Sequence, residues 1–167
     1  MLSLTKELTD WTIRPMRISE FPLLWDFLYD AIFLPPGVEP PPRSILRRPE
    51  LRVYIDGFGK DEHDYCLVAD VKGEVVGAVW VRIMNDYGHL DDDTPSFAIS
   101  VVREWRGMGI GTDLMKEMLA YLKRNGYRQA SLSVQKTNFA ADLYRKLGFE
   151  TVSETEEEYL MVIALNG

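Results

Sequence analysis

Two apolar periods alternate along this chain and predict a definite order of strands and helices. Trp11-Thr12-Ile13-Arg14-Pro15-Met16 reads as a first strand. Ser19-Glu20 opens a helix over Phe21–Phe33, with Leu24, Leu28 and Ile32 in register and Pro22 in its first turn, where a missing N–H is harmless. The proline-rich stretch from Leu34 to Pro42 interrupts regular structure as a stiff connector, and Pro49 to Phe58 predicts a short second helix. Strands follow at Tyr65–Val71 and Glu74–Ile83, joined by the tight turn Lys72-Gly73, and another lies over Phe97–Val102. Ile110, Leu114, Met118 and Leu122 then recur every fourth residue, with Met115 and Leu119 widening the stripe, until Asn125-Gly126 ends the helix. Gln129–Val134 alternates Ala130, Leu132 and Val134 with polar residues as a strand. A helix from Asn138 to Phe149 carries Ala140, Leu143 and Leu147 on its core face and Gly148 as its stop. Two C-terminal strands flank the acidic run Glu154-Thr155-Glu156-Glu157-Glu158, read as a solvated turn.

The junction between the Phe97–Val102 strand and the following helix carries the chemistry. Trp105-Arg106-Gly107-Met108-Gly109-Ile110-Gly111-Thr112 sets three alternating glycines and an arginine at a helix start. Glycines admit a ligand close to the backbone, and the unsatisfied N–H groups and positive dipole end of the helix favour phosphate. Arg106 adds a permanently charged fork. The dinucleotide fingerprint needs Gly-x-Gly-x-x-Gly, whereas this segment has Gly-x-Gly-x-Gly, and the ATP-binding loop needs a Gly-Lys-Ser/Thr that is missing.

The remaining pattern is Arg/Gln-x-x-Gly-x-Gly/Ala, in which the segment resembles motif A of the GNAT superfamily of acyl-CoA-dependent N-acyltransferases. Asn138 and Leu143-Tyr144 through Gly148-Phe149 resemble its motif B, one helix and one strand further on. The resemblance covers essentially the whole chain and is specific from about Ile99 to Phe149. It implies an α/β (α+β) fold of a single domain over residues 1–167, with a mixed, mostly antiparallel sheet of about six to seven strands and about four helices. It also implies direct transfer of an acetyl group from acetyl-CoA to an amine. Backbone groups of Ile99-Ser100-Val101 would meet the thioester carbonyl and the pantetheine arm, and Arg106, Gly107, Met108, Gly109, Ile110, Gly111 and Thr112 would hold the pyrophosphate. Asn138 matches the asparagine that touches the arm. Tyr144 matches the catalytic tyrosine beside the sulfur, a phenol still protonated at neutral pH and able to share its proton with the leaving thiolate.

The proton acceptor for the amine is open. Ser96 and Ser133 stand where better-known members often carry glutamate. The need is real, since an alkylamine near pKa 10.4 is neutral about one time in 2,500 at pH 7, a cost of roughly 4.6 kcal/mol. A water relay, Asp93, His89 or Glu39 could serve, or the acceptor is weakly basic. The segment after the first helix borders the acceptor site in such folds, which makes Tyr29, Phe33, Glu39, Arg43, Tyr54 and Phe58 candidates for an acceptor wall.

Composition narrows the remaining choices. The chain has 167 residues, 46% of them hydrophobic, enough for one real core. A formal net charge of −7 argues against nucleic acid, which is met by concentrated basic surfaces. Coenzyme A, also anionic, needs only a local pocket with cations such as Arg103 and Arg106. No apolar stretch is long enough for a membrane span, and Met1–Glu7 lacks a signal-peptide layout, so a cytoplasmic protein is expected. A single cysteine, Cys66, excludes an internal disulfide and a thiolate zinc site, and its apolar neighbours mark a buried structural thiol. The loop Asn85–Asp93 collects four carboxylates and His89 without the spacing of a calcium loop, so no metal is expected. The apolar strand Tyr159–Leu165 offers edge pairing into a homodimer. The acceptor is expected to be a small-molecule or peptide amine. Alternatives are a protein N-terminal or lysine acetyltransferase and a non-catalytic acetyl-CoA sensor.

Overall fold

A computed structural model describes residues 10–84 and 89–165. Met1–Glu7, whose layout entered the expectation above, and residues 85–88 of the acidic loop lie outside the described residues. Seven strands, β1 (Thr12–Pro15), β2 (Tyr65–Val71), β3 (Glu74–Arg82), β4 (Ser96–Val101), β5 (Gln129–Gln135), β6 (Glu150–Glu154) and β7 (Glu158–Ala164), form one sheet in the order β1-β2-β3-β4-β5-β7-β6. Every neighbouring pair is antiparallel except β4 and β5. Among the described residues four α-helices accompany it: α1 (Leu23–Ala31), α2 (Pro49–Arg52), α3 (Ile110–Arg124) and α4 (Ala140–Leu147). This is the mixed, mostly antiparallel α/β architecture that the sequence implies.

Side-chain alternation sends each strand's residues to two cores. On one face Val79, Val81, Phe97, Leu132, Val134 and Met161 pack under α3, whose buried stripe is Ile110, Leu114, Met115, Met118 and Leu122, and under α4. On the other face Cys66, Val68, Ala78, Trp80 and Ala98 pack under α1 and the segment 43–58. Cys66 is buried, and burial pushes its thiol well above the ordinary range, so it is no nucleophile.

Several boundaries differ from the sequence expectation for identifiable reasons. The first helix covers Leu23–Ala31 rather than Phe21–Phe33, because Ile18–Glu20 forms a separate 3-10 turn and Ile32 turns extended. The second helix is one turn, Pro49–Arg52, instead of reaching Phe58. Beyond it the carbonyls of Val53 and Asp56 accept hydrogen bonds from Arg82 Nη1 at 3.1 and 3.0 Å, and Tyr54 O accepts one from Trp80 Nε1 at 3.0 Å. Side chains of β3 thus take backbone acceptors that a longer helix would use. Arg82 also pairs with the buried Asp64 at 3.1 Å, which fixes the whole segment to the sheet. On α4 the buried face is Ala141 and Tyr144, with Ala140, Leu143 and Leu147 only partly covered. The expected edge strand over Tyr159–Leu165 is interior, since β7 lies between β5 and β6, and the exposed edge belongs to β6.

Candidate functional site

The parallel contact between β4 and β5 is the decisive local feature. They share one register pair, Ser96 with Ser131, supported by the Ser131 N–H donating to Pro95 O at 3.0 Å. Past that point the strands diverge and the sheet splits. Ser96 is sealed at the closed end, its hydroxyl 3.4 Å from that of Ser131.

Two adjoining cavities, which share Ile99, Asn138 and Tyr144 among their lining residues, lie at the split. The larger, about 1240 Å³, is walled by Ile99–Val101, by Arg103 and Arg106, by the first turn of α3 and by α4. Gly107 (φ +78°) and Gly109 (φ +100°) hold left-handed conformations that glycine adopts without strain, and a side chain at either would project into open space. The loop therefore presents bare backbone at the start of a fifteen-residue helix, whose first N–H groups lack intrahelical partners. This arrangement fits a phosphate ester. Arg106 Nε donates to Val101 O at 2.7 Å, which ties the guanidinium to the β4 end of the larger cavity it lines and engages only one of its nitrogens.

Eleven of the twelve residues assigned to acetyl-CoA from sequence border this cleft: Ile99, Ser100, Val101, Arg106, Gly107, Gly109, Ile110, Gly111, Thr112, Asn138 and Tyr144. Met108 does not. Asn138 Oδ1 accepts a hydrogen bond from Ala140 N at 2.9 Å, so the side chain also orders the start of α4. Ser100 is 5% exposed, and among the described residues its hydroxyl has no hydrogen-bond partner, an unsatisfied group bordering the cleft. Sequence reasoning missed Trp105 and Phe139, apolar residues of the same wall; Phe139 is 88% exposed at the foot of α4, where helical periodicity gives no cue.

The smaller cavity, about 490 Å³, opens toward α1 and α2 and is lined by Phe33, Arg48, Glu50, Tyr54, Ser133 and Glu158 among others. Tyr144 borders both cavities. It is 8% exposed, packs edge-on to Phe149, and has no hydrogen-bond partner for its hydroxyl among the described residues; burial pushes its phenol up to about 12. A protonated phenol thus stands where the two cavities meet.

The acceptor wall expected from sequence is only partly assembled. Phe33 and Tyr54 line the smaller cavity and Tyr29 the larger. Tyr29 donates its hydroxyl to Pro41 O and lies under Arg43, which pairs with Asp26 at 2.6 Å, so these groups tie down the proline-rich connector. Phe58 packs edge-on to Phe21 beneath Arg82, and Glu39 is exposed on the connector; neither lines a cavity. Asp93 and His89 also fall outside both cavities, because residues 89–93 lead into the closed end of the split. There His89 Nδ1 contacts Met84 O at 2.8 Å, and Asp91 accepts hydrogen bonds from Asp93 N and Thr94 Oγ1, the bonding of an ordinary turn.

The comparisons with known proteins agree with this geometry. The model of the acetyltransferase (GNAT) family matches residues 25–149. An uncharacterized N-acetyltransferase of Bacillus subtilis is 37% identical over 75 residues, 44% of this chain and 28% of that protein. An N-alpha-acetyltransferase of Sulfolobus acidocaldarius is 33% identical over 114 residues, 59% of this chain and 67% of that protein. The chain therefore spans from about a quarter to two thirds of these relatives' own lengths. In fold it is similar to the PaiA N-acetyltransferase of Thermoplasma acidophilum solved in complex with coenzyme A, with a TM-score of 0.69 over 93% of this chain and 99% of that one at 16% identity. The family match runs through both the glycine cradle and the Tyr144 helix, and the chain belongs to the GNAT family of acetyltransferases.

Proposed function

We propose that this protein transfers the acetyl group of acetyl-CoA to a primary amine of a small molecule or peptide, within a ternary complex and without an acyl-enzyme. The observation that carries the reading is the split between β4 and β5, with a phosphate cradle along one wall and a buried phenol where the two cavities join. Bound acetyl-CoA supplies the activated acyl group. Gly107–Thr112 and Arg106 hold its pyrophosphate, and the free edge of Ile99–Val101 pairs with the pantetheine arm. The unpartnered Ser100 hydroxyl and the Asn138 amide are placed to satisfy further polar groups of that arm. Tyr144 donates a hydrogen bond to the departing sulfur. The amine enters from the α1 and α2 side, opposite the face that carries α3 and α4.

Similarity to a protein named N-alpha-acetyltransferase favours peptide α-amines as the second reading. Thiol release from acetyl-CoA, followed over polyamines, amino acids, arylamines and short peptides, tests both. Acceptor-dependent release is expected, and release with peptides alone would select the second. Tight calorimetric binding of acetyl-CoA with no turnover on any acceptor would contradict catalysis and favour a sensor.

A further inference from the structure

We infer that Glu158 is the group that docks the acceptor's ammonium and takes its first proton, and hence that the acceptor is a strongly basic alkylamine. The inference rests on the acetyl-transfer reading above for its chemistry, though not for its geometry.

Strand register places the residue. Gln135 lies four residues beyond Ser131 on β5, Ser100 lies four beyond Ser96 on β4, and Glu158 is the register partner of Gln135. At about 3.3 Å per residue, Ser100 and Glu158 sit at one level, roughly 13 Å from the point where the strands part. Alternation fixes the face. Ala130, Leu132 and Val134 point into the core under α3 and α4, so Ser131, Ser133 and Gln135, with their partners Val162, Leu160 and Glu158, face α1 and α2. Ala98 and Ser100 share that face on β4. Glu158 therefore stands on β7, one strand behind the β5 wall of the open split, on the face where the smaller cavity, which it lines, admits an acceptor to the thioester expected along β4.

The charge in that cavity has the right sign. Its charged lining residues are Glu50, Glu158 and Arg48, two carboxylates against one guanidinium, and Glu158 is the only one of the three that is partly buried. The other titratable groups nearby are Tyr54 and Tyr144 on the cavity wall and Lys136, Glu154 and Glu157 at the turn beside it. Lys136 pairs with Glu154 at 3.3 Å, and its N–H donates to Glu157 O at 2.8 Å. Glu158 itself is set by the turn, where Thr155 Oγ1 accepts its N–H at 3.1 Å and Thr155 N donates to its carbonyl.

The proton balance closes with this one carboxylate. One proton passes from the ammonium to Glu158, and the freed lone pair forms the C–N bond. The C–S bond breaks with its pair on sulfur, and the second proton lost by nitrogen ends on that sulfur, held by the Tyr144 hydroxyl. The products are the acetamide, the thiol and the proton that Glu158 returns to solvent.

The experiment compares wild type, Glu158→Gln and Glu158→Asp with n-butylamine and aniline as probes. Direct calorimetry of n-butylammonium is expected to show about tenfold weaker binding to the Gln variant, with acetyl-CoA affinity unchanged. With acetyl-CoA present, kcat/KM for n-butylamine is expected to fall at least a hundredfold at pH 7 and to rise tenfold per pH unit in the Gln variant, since hydroxide must now generate the free amine. The Asp variant should recover part of the rate, and any turnover of aniline, already neutral, should be insensitive. Equal butylammonium binding and unchanged pH profiles in wild type and Glu158→Gln would overturn the inference while leaving acetyl transfer intact. Glu158-dependent binding without thiol release from any variant would support the docking role and contradict the acetyl-transfer reading.

Discussion

Replacing Tyr144 by phenylalanine removes one oxygen atom from the meeting point of the two cavities, and the structure sets how much that should cost. The phenol is pushed up to about 12 by burial, whereas a thiol ordinarily titrates near 8.5. Complete proton transfer from phenol to thiolate would run uphill by about 3.5 units, roughly 5 kcal/mol. On the proposed mechanism Tyr144 would therefore act by a charge-assisted hydrogen bond to the developing thiolate, an interaction of about 1.5–3 kcal/mol. The expected loss in kcat is accordingly about 10- to 150-fold. Because the hydroxyl has no partner among the described residues, Tyr144→Phe strands no other polar group, and the melting temperature should stay within about 2 °C. Acetyl-CoA affinity by calorimetry should move less than threefold. No alkaline limb below about pH 10 should trace to this residue, since its protonated form persists to about 12. Wild-type turnover in the variant, or a lost rate accompanied by a collapse in melting temperature, would refute the assignment.

Further predictions follow from the same geometry. Gly109→Ala forces a side chain into the left-handed region at φ +100° without crowding anything, so it should cost about 1–2 kcal/mol of stability in chemical denaturation and weaken acetyl-CoA binding by projecting a methyl into the cleft. Asp64→Ala leaves Arg82 buried without its ion pair, a loss of about 3–5 kcal/mol that calorimetry should register as a fall of about 10 °C in melting temperature. Arg14 grips Glu20 through two nitrogens at 2.9 and 2.8 Å and holds its carboxyl down from 4.5 to about 2. That stabilisation is complete above about pH 4.5 and lost as pH falls toward 2, so Glu20→Gln should flatten the pH dependence of the midpoint in that window.

Most of the fold was legible because apolar periodicity in its elements marks the faces they bury. The four-residue spacing of Ile110, Leu114, Met118 and Leu122 and the alternation of Ala130, Leu132 and Val134 translate directly into buried stripes. The cleft was legible for a different reason, since glycines at Gly107 and Gly109 mark backbone that only their residue type adopts cheaply. The segment 49–58 was misread because Arg82 and Trp80, distant in sequence, claim its carbonyls. Glu158 was hidden in an acidic run that reads as a solvated turn, and only the pairing of Gln135 with Glu158 carries it to the cavity. The α4 stripe was drawn too narrowly: Ala140, Leu143 and Leu147 do pack against the core, but the most buried positions beside them are Ala141 and Tyr144, the latter edge-on to Phe149.

The most direct test is a crystal structure with acetyl-CoA bound. The account predicts the pyrophosphate over Gly107–Thr112, the pantetheine arm along the free edge of Ile99–Val101, and the thioester sulfur within hydrogen-bonding distance of the Tyr144 hydroxyl. Acetyl-CoA bound outside the split between β4 and β5, or with its sulfur turned away from Tyr144, would contradict it.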